Sequence, residues 1–338
     1  MVKQINTKKI VMVIVCGLVI SSALFSGCNN KEGGTTADVK DTSAWNATKL
    51  ASLFEADWSA PDTSTLPHDN YGNLIRYGRL LVSNTGAYFG PGGKINIHAN
   101  GMSCQNCHLD AGTRLYANSY SAVNSIYPKF RARSGMVEHL EKRINDCMER
   151  SMNGEKIDSL SREMRAMVAY INWVGKDVKK GVIPSGASVA DVPYLDRAAD
   201  PELGKTAYGK HCVTCHGNDG LGKLNDDGYT FLYPPLWGPR SYNTAAGLYR
   251  LSRFAGYIKS NMPNLTSNHD KPVLTDEEAW DIAAFVNSMP RPDKKFAEDW
   301  PDISKKPVDH PYGPFSDKYS EEQHKYGPFK VIAEAHKK

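Results

Sequence analysis

The sequence predicts an all-α protein built as two tandem domains, and two observations carry that expectation. Cys-x-x-Cys-His occurs twice, at Cys104-Gln105-Asn106-Cys107-His108 and at Cys212-Val213-Thr214-Cys215-His216. Each copy is followed, some sixty to seventy residues on, by a similar helical end. These ends are Ala169-Tyr170-Ile171-Asn172 and Ala284-Phe285-Val286-Asn287. A motif and a helix repeated at like spacing read as one plan used twice, in a length that suits two domains of about 100 residues.

The motif also names its chemistry. Two cysteines spaced by two residues form thioethers to porphyrin vinyl groups, and the adjacent histidine coordinates the iron. The expected cofactors are two covalently bound haem c groups. Attachment falls to Cys104 and Cys107 in the first half, and to Cys212 and Cys215 in the second. His108 and His216 are the expected proximal ligands. A zinc ribbon separates its cysteine pairs by about 15–20 residues. Cys107 and Cys212 lie far further apart.

From the N-terminus, residues 1–27 read as a signal peptide. Lys3, Lys8 and Lys9 precede the apolar run from Ile10 to Phe25. The run is shorter than the roughly 20 residues that span a bilayer comfortably. Phe25-Ser26-Gly27-Cys28 resembles a bacterial lipobox, with Cys28 the lipidated residue. The expected location is extracytoplasmic or periplasmic, with the N-terminal lipid on a membrane surface. Removing residues 1–27 lowers the net charge from +4 to +1, because three lysines leave. No basic stripe points to nucleic acid, and none is expected as a partner.

Residues 28–68 are rich in Asn, Gly, Thr, Ser, Asp and Pro and read as a flexible stalk. Residues 69–177 and 196–291 are the expected domains, joined by a linker at 178–195. In the first, Leu160, Met164, Met167, Val168 and Ile171 follow a helical period; in the second, Trp280, Ala283, Ala284 and Phe285 do. Thr275 to Glu278 forms a capping box and Pro290 follows the helix end. Gly204 and Tyr208 share one face of the helix before the second haem motif, with Tyr71 to Leu81 as their counterpart. Tyr233-Pro234-Pro235-Leu236 resembles the loop whose carbonyl holds the proximal histidine in small cytochromes c. Residues 292–338 read as an extension strapping the domains, with Tyr312-Gly313-Pro314-Phe315 echoed by Tyr326-Gly327-Pro328-Phe329.

The second axial ligand sets each potential. Met262-Pro263 lies forty-six residues after His216 and resembles the distal methionine of small cytochromes c, with Lys259 nearby. The first half has no such loop; Met136, His139, Met148 and Met152 are candidates. It has instead Arg143, Cys147 and Ser151, spaced by four and so on one helical face. Cys147 is the cysteine left over once haem attachment and export are served. A thiol among arginines is biased toward thiolate, which binds metal and attacks sulfur. Thiolate and guanidinium together, Arg133 included, suit a small divalent oxyanion.

With these residues in place, the chain from about residue 65 onward resembles the dihaem thiosulfate dehydrogenase / tetrathionate reductase family of bacterial cytochromes c. The Arg-x-x-x-Cys-x-x-x-Ser run is the most specific element. The resemblance implies a His108/Cys147 pair at an active-site haem and a His216/Met262 pair at an electron-transfer haem. It implies Arg133, Arg143 and Ser151 around the substrate, and Lys259 as an alternative ligand. The implied reaction is 2 thiosulfate = tetrathionate + 2 electrons, in either direction. Electrons would pass to a small c-type cytochrome or another redox partner. Two alternatives stay open: a non-enzymatic dihaem electron carrier, and the haem subunit of a sulfur-oxidising complex.

Overall fold

The structure is a computed structural model and describes residues 58–95 and 99–337. The signal peptide, Cys28 and most of the stalk lie outside the described residues. So does His98, in the Gly- and Asn-rich insertion before Cys104. The fold is mostly helical, as expected. Two short antiparallel hairpins interrupt it: β1 (Lys129–Arg131) with β2 (Met136–Glu138), and β3 (Lys223–Leu224) with β4 (Phe231–Tyr233). Among the described residues, no helix is long and apolar enough to cross a membrane.

Six longer helices carry the architecture. They are α1 (Asn70–Ser83), α2 (Leu140–Arg150), α3 (Arg162–Val174), α4 (Pro201–His211), α5 (Leu251–Asn261) and α6 (Asp276–Ser288). Each half crosses its first helix on its last. Asp69 caps α1 by accepting from the Gly72 N–H at 2.7 Å, and Ser161 caps α3 through the Met164 N–H at 3.1 Å. Gly78 on α1 lies so close to the Ala166 carbonyl of α3 that a side chain there has no room. The second half repeats the crossing. Asp200 caps α4, Pro201 opens it, and Thr275 with Glu278 closes a capping box on α6. Gly204 lies against the Asp281 carbonyl of α6 as Gly78 lies against Ala166. Close backbone approach is what glycine permits and any Cβ forbids.

Two apolar cores result. The first gathers Ile75, Leu81, Met148, Met164 and Tyr170; the second gathers Tyr208, Phe254, Ile258, Trp280 and Val286. Helix α3 starts later than the period from Leu160 predicts. Leu160 is 81% exposed, because Ser161 starts the helix as its cap and leaves Leu160 outside the buried stripe.

Neither connecting segment is a loose spacer. Within the linker, Val189 is buried in the second core, and the Pro193 carbonyl accepts from the Trp280 indole at 2.9 Å. The C-terminal extension touches both halves. Asp299 ion-pairs with Arg133 and Arg150 of the first half, and Phe329 is buried in the core of the second.

Candidate active site

Helix α2 positions the first cluster. Glu141 in its first turn and Arg150 in its last suit the helix dipole. Leu140, Ile144 and Met148 bury one side of the helix. Arg143 and Cys147 face a cavity one turn apart, and Ser151, the C-cap, lines the same cavity. Cys104, Cys107 and His108 form its other wall. The face expected from a spacing of four is therefore assembled in space.

The histidine is held by a neighbour that the sequence did not disclose. His108 Nδ1 donates to the Asn118 carbonyl at 2.6 Å, which leaves Nε2 with its lone pair. Its ring stacks on Tyr120 at 4.6 Å between centroids. Burial pushes the His108 pKa down to about 4; the carbonyl acceptor works against that and the Arg143 charge works with it. The imidazole is thus neutral, as a metal ligand must be. Arg143 shifts the other way. The Cys147 sulfur is the largest influence holding the guanidinium charged, and it outweighs the cost of burial.

Arg133 sits elsewhere. Its Nε donates to Asp299 at 2.9 Å and its Nη2 to the Ala245 carbonyl at 2.8 Å, and it is not among the residues lining the cavity. Asp299, arriving from the C-terminal extension, pulls it into a buried ion cluster with Arg150. The cations that do line the cavity beside Arg143 are Lys129, Arg131 and Arg253. Alternation along Lys129-Phe130-Arg131 was a readable signal for the first two. Arg253 comes from the second half, and nothing local in the sequence marks it.

A second cavity holds Cys212, Cys215, His216 and Met262. His216 Nδ1 donates to the Pro234 carbonyl at 2.9 Å, the bond expected of that loop. Burial lowers the His216 pKa, against the pull of that carbonyl. Met262 directly follows α5 as its C-cap. Lys259 is turned away. Its Nζ donates to the Leu274 carbonyl and pairs with Asp276, each at 2.8 Å, and it does not line the cavity. Met102 and Cys107 line both cavities. Tyr257 of the second half donates to the Asn106 carbonyl at 2.9 Å, so the first attachment motif is tied to α5.

Both cavities fit a c-type haem. Each combines a cysteine pair, a neutral histidine with its tautomer set by a carbonyl, and a sulfur side chain on an apolar wall. Burial raises the thiols of Cys104 to about 11 and of Cys107 and Cys212 to about 12. Surroundings that penalise a thiolate accept an uncharged thioether without that cost.

The halves match different families. Residues 96–179 match SoxA/TsdA, cytochrome c domain, and residues 201–290 match Cytochrome c. A thiosulfate dehydrogenase of Psychrobacter arcticus is 38% identical over 244 residues, 71% of this chain and 71% of that protein. The chain belongs to the thiosulfate dehydrogenase family. A thiosulfate dehydrogenase of Allochromatium vinosum is 37% identical over 69% of this chain and 84% of its own length. In three dimensions, the chain is similar to a thiosulfate dehydrogenase (TsdBA) from Marichromatium purpuratum. The TM-score is 0.66 with 30% sequence identity, and the match covers 80% of this chain. This chain spans only 55% of that one. Membership and the two cytochrome c domains establish the cofactors as two covalently bound haem c groups, one per half.

Proposed function

We propose that this enzyme interconverts thiosulfate and tetrathionate at the first haem site, where His108 and Cys147 would hold the iron. One observation carries the reading: Cys147, Arg143 and Ser151 line a single cavity with His108. A thiolate beside a guanidinium that no carboxylate bridges is suited to a sulfur dianion. His216 and Met262 are the residues that would hold the second haem, which would supply an outlet for electrons to a small c-type cytochrome or another redox partner. Lys259, engaged with Leu274 and Asp276, is left out of that ligand set.

When bound, the two haems supply two one-electron sinks. The chain's residues do the rest. Arg143 offsets the charge of an arriving dianion, and Ser151 offers it a hydroxyl. The Cys147 thiolate joins the outer sulfur of one thiosulfate, forming a sulfur–sulfur bond and giving up two electrons. The outer sulfur of a second thiosulfate attacks that adduct, releasing tetrathionate and returning the thiolate. Charge and atoms balance over the two steps, and the reverse sequence consumes tetrathionate. The chemistry is that of thiol–disulfide exchange, in which a thiolate is both nucleophile and leaving group.

The test is turnover of holoprotein and its Cys147→Ala variant, with thiosulfate plus ferricyanide and with tetrathionate plus reduced viologen. We expect at least about a thousandfold loss in the variant, as for removal of a covalent nucleophile, with both haems retained. Wild-type protein inert in both assays would instead leave an electron carrier. The export reading is separable: Cys28→Ser should move the protein from the membrane to the soluble fraction.

A further inference from the structure

Beyond Arg143, the first cavity carries a second group of cations that the mechanism above does not use. Lys129 and Arg131 are both half-buried and lie on the same face of β1, because strand side chains alternate; Phe130 between them is 61% exposed. Both line the cavity, as does Arg253 from α5, whose guanidinium meets the Ser188 hydroxyl. No aspartate or glutamate lines it.

The Lys129 backbone pairs with Glu138 in the hairpin, but its ammonium has neither a hydrogen bond nor an ion pair among the described residues. Burial and the neighbouring Arg131 both lower its pKa, so holding its charge there has a cost. Arg131 has one distant counter-ion, Glu138, at 3.8 Å. Arg143 and Arg131 both act on Tyr127, whose ring lies on the same wall. The positive charge therefore continues from Cys147 past Tyr127 to the hairpin. Partly desolvated cations with few counter-charges, facing a carboxylate-free cavity, are unfavourable unless an anion joins them.

We propose that Lys129 and Arg131, with Arg253 across the cavity, form a second anion subsite. It holds the sulfonate of the second thiosulfate, which is the far sulfonate of tetrathionate. The inference rests on the functional reading above and supplies what it lacks. A dianion must come within bonding distance of the Cys147 adduct, which itself carries a sulfonate charge, and one guanidinium beside Cys147 cannot offset both. Arg143 serves the thiosulfate that bonds to Cys147, and the hairpin cations serve the attacking one.

The test is equilibrium titration of oxidised holoenzyme with tetrathionate, followed by calorimetry without any reductant. Lys129→Gln and Arg131→Gln should each raise Kd about tenfold, the scale of one charge-assisted hydrogen bond. Lys129→Arg should restore affinity to within about threefold. Lys318→Gln, an exposed charge on the extension, should leave it unchanged and so exclude a general field effect. The Soret spectrum and the midpoint potential of the first haem should stay at their wild-type values in Lys129→Gln. Unchanged affinity in both hairpin variants would overturn the subsite. Unchanged affinity with a displaced potential would also overturn it, and would assign these cations to the haem carboxylates. Failure of the underlying reading looks different, because wild-type enzyme then neither binds tetrathionate nor turns over thiosulfate.

Discussion

Gly204 shows how much a single residue settles. It lies under the Asp281 carbonyl of α6, where any Cβ would overlap the backbone. Gly204→Ala should therefore push α4 off α6 and cost at least about 2 kcal/mol, the scale of overpacking in a tight core. Denaturant unfolding measures it, and an unchanged midpoint would mean that the crossing tolerates a methyl group. Cys147 and Arg143 are placed differently, facing a cavity and not the core. Their spacing of four was enough to put them on one face. Arg133, placed near the site by its position in the sequence and by the family resemblance, is held by a carboxylate 166 positions away. Lys259 is likewise held, by Leu274 and Asp276 in the stretch that follows the Met262 loop.

At the scale of elements, the C-terminal extension supports α2. Asp299 accepts from Arg150 at 2.7 and 2.9 Å and from Arg133 at 2.9 Å, and the Phe296 ring lies 3.8 Å from the Arg150 guanidinium carbon. Arg150 ends the helix that carries Cys147. Asp299→Asn leaves two buried guanidinium groups without their counter-charge, which costs about 3–5 kcal/mol where a buried pair is broken. The expected result is a Tm lowered by several degrees, with the attached haems retained. A variant as stable as wild type would show that the cluster is solvated. Cap chemistry explains the legibility of the helices themselves. Thr275 and Glu278 announced α6, and the Ser161 cap sets the start of α3 after Leu160. The pairing of β1 with β2 gave no such notice, since three-residue strands leave little to read beyond the alternation at Lys129-Phe130-Arg131.

For the molecule as a whole, the extension ties the two halves together, and the tie has a pH dependence. His310 is buried, with Nδ1 donating to the Tyr312 carbonyl at 3.3 Å and Nε2 accepting from the Trp300 indole at 3.2 Å. Burial lowers its pKa from 6.5 to about 3, and the charges of Lys306, Arg133 and Arg250 push it the same way. The folded protein keeps this ring neutral where the unfolded chain would protonate it. Its contribution is therefore fully present above about pH 6.5 and is lost as pH falls toward 3. Thermal unfolding across that window should show a falling Tm, with a shallower slope in His310→Gln. Equal slopes in the two proteins would assign the acid sensitivity to other groups.

By itself, the sequence determined the haem plan, the helical repeat and the single face shared by Arg143 and Cys147. Each is written in local spacing: two residues between thioethers, four between groups on a helical face, and a cap before each apolar period. The Pro234 carbonyl that orients His216 was legible for the same reason, as part of a short loop of known shape. The tertiary structure decided what those spacings could not. It brought Asn118 to His108, took Arg133 for Asp299, turned Lys259 away from Met262, and added Arg253 to a cavity in the other half. Such choices depend on which partner satisfies a buried charge or donor at least cost, and that partner is selected by packing between segments far apart in the chain.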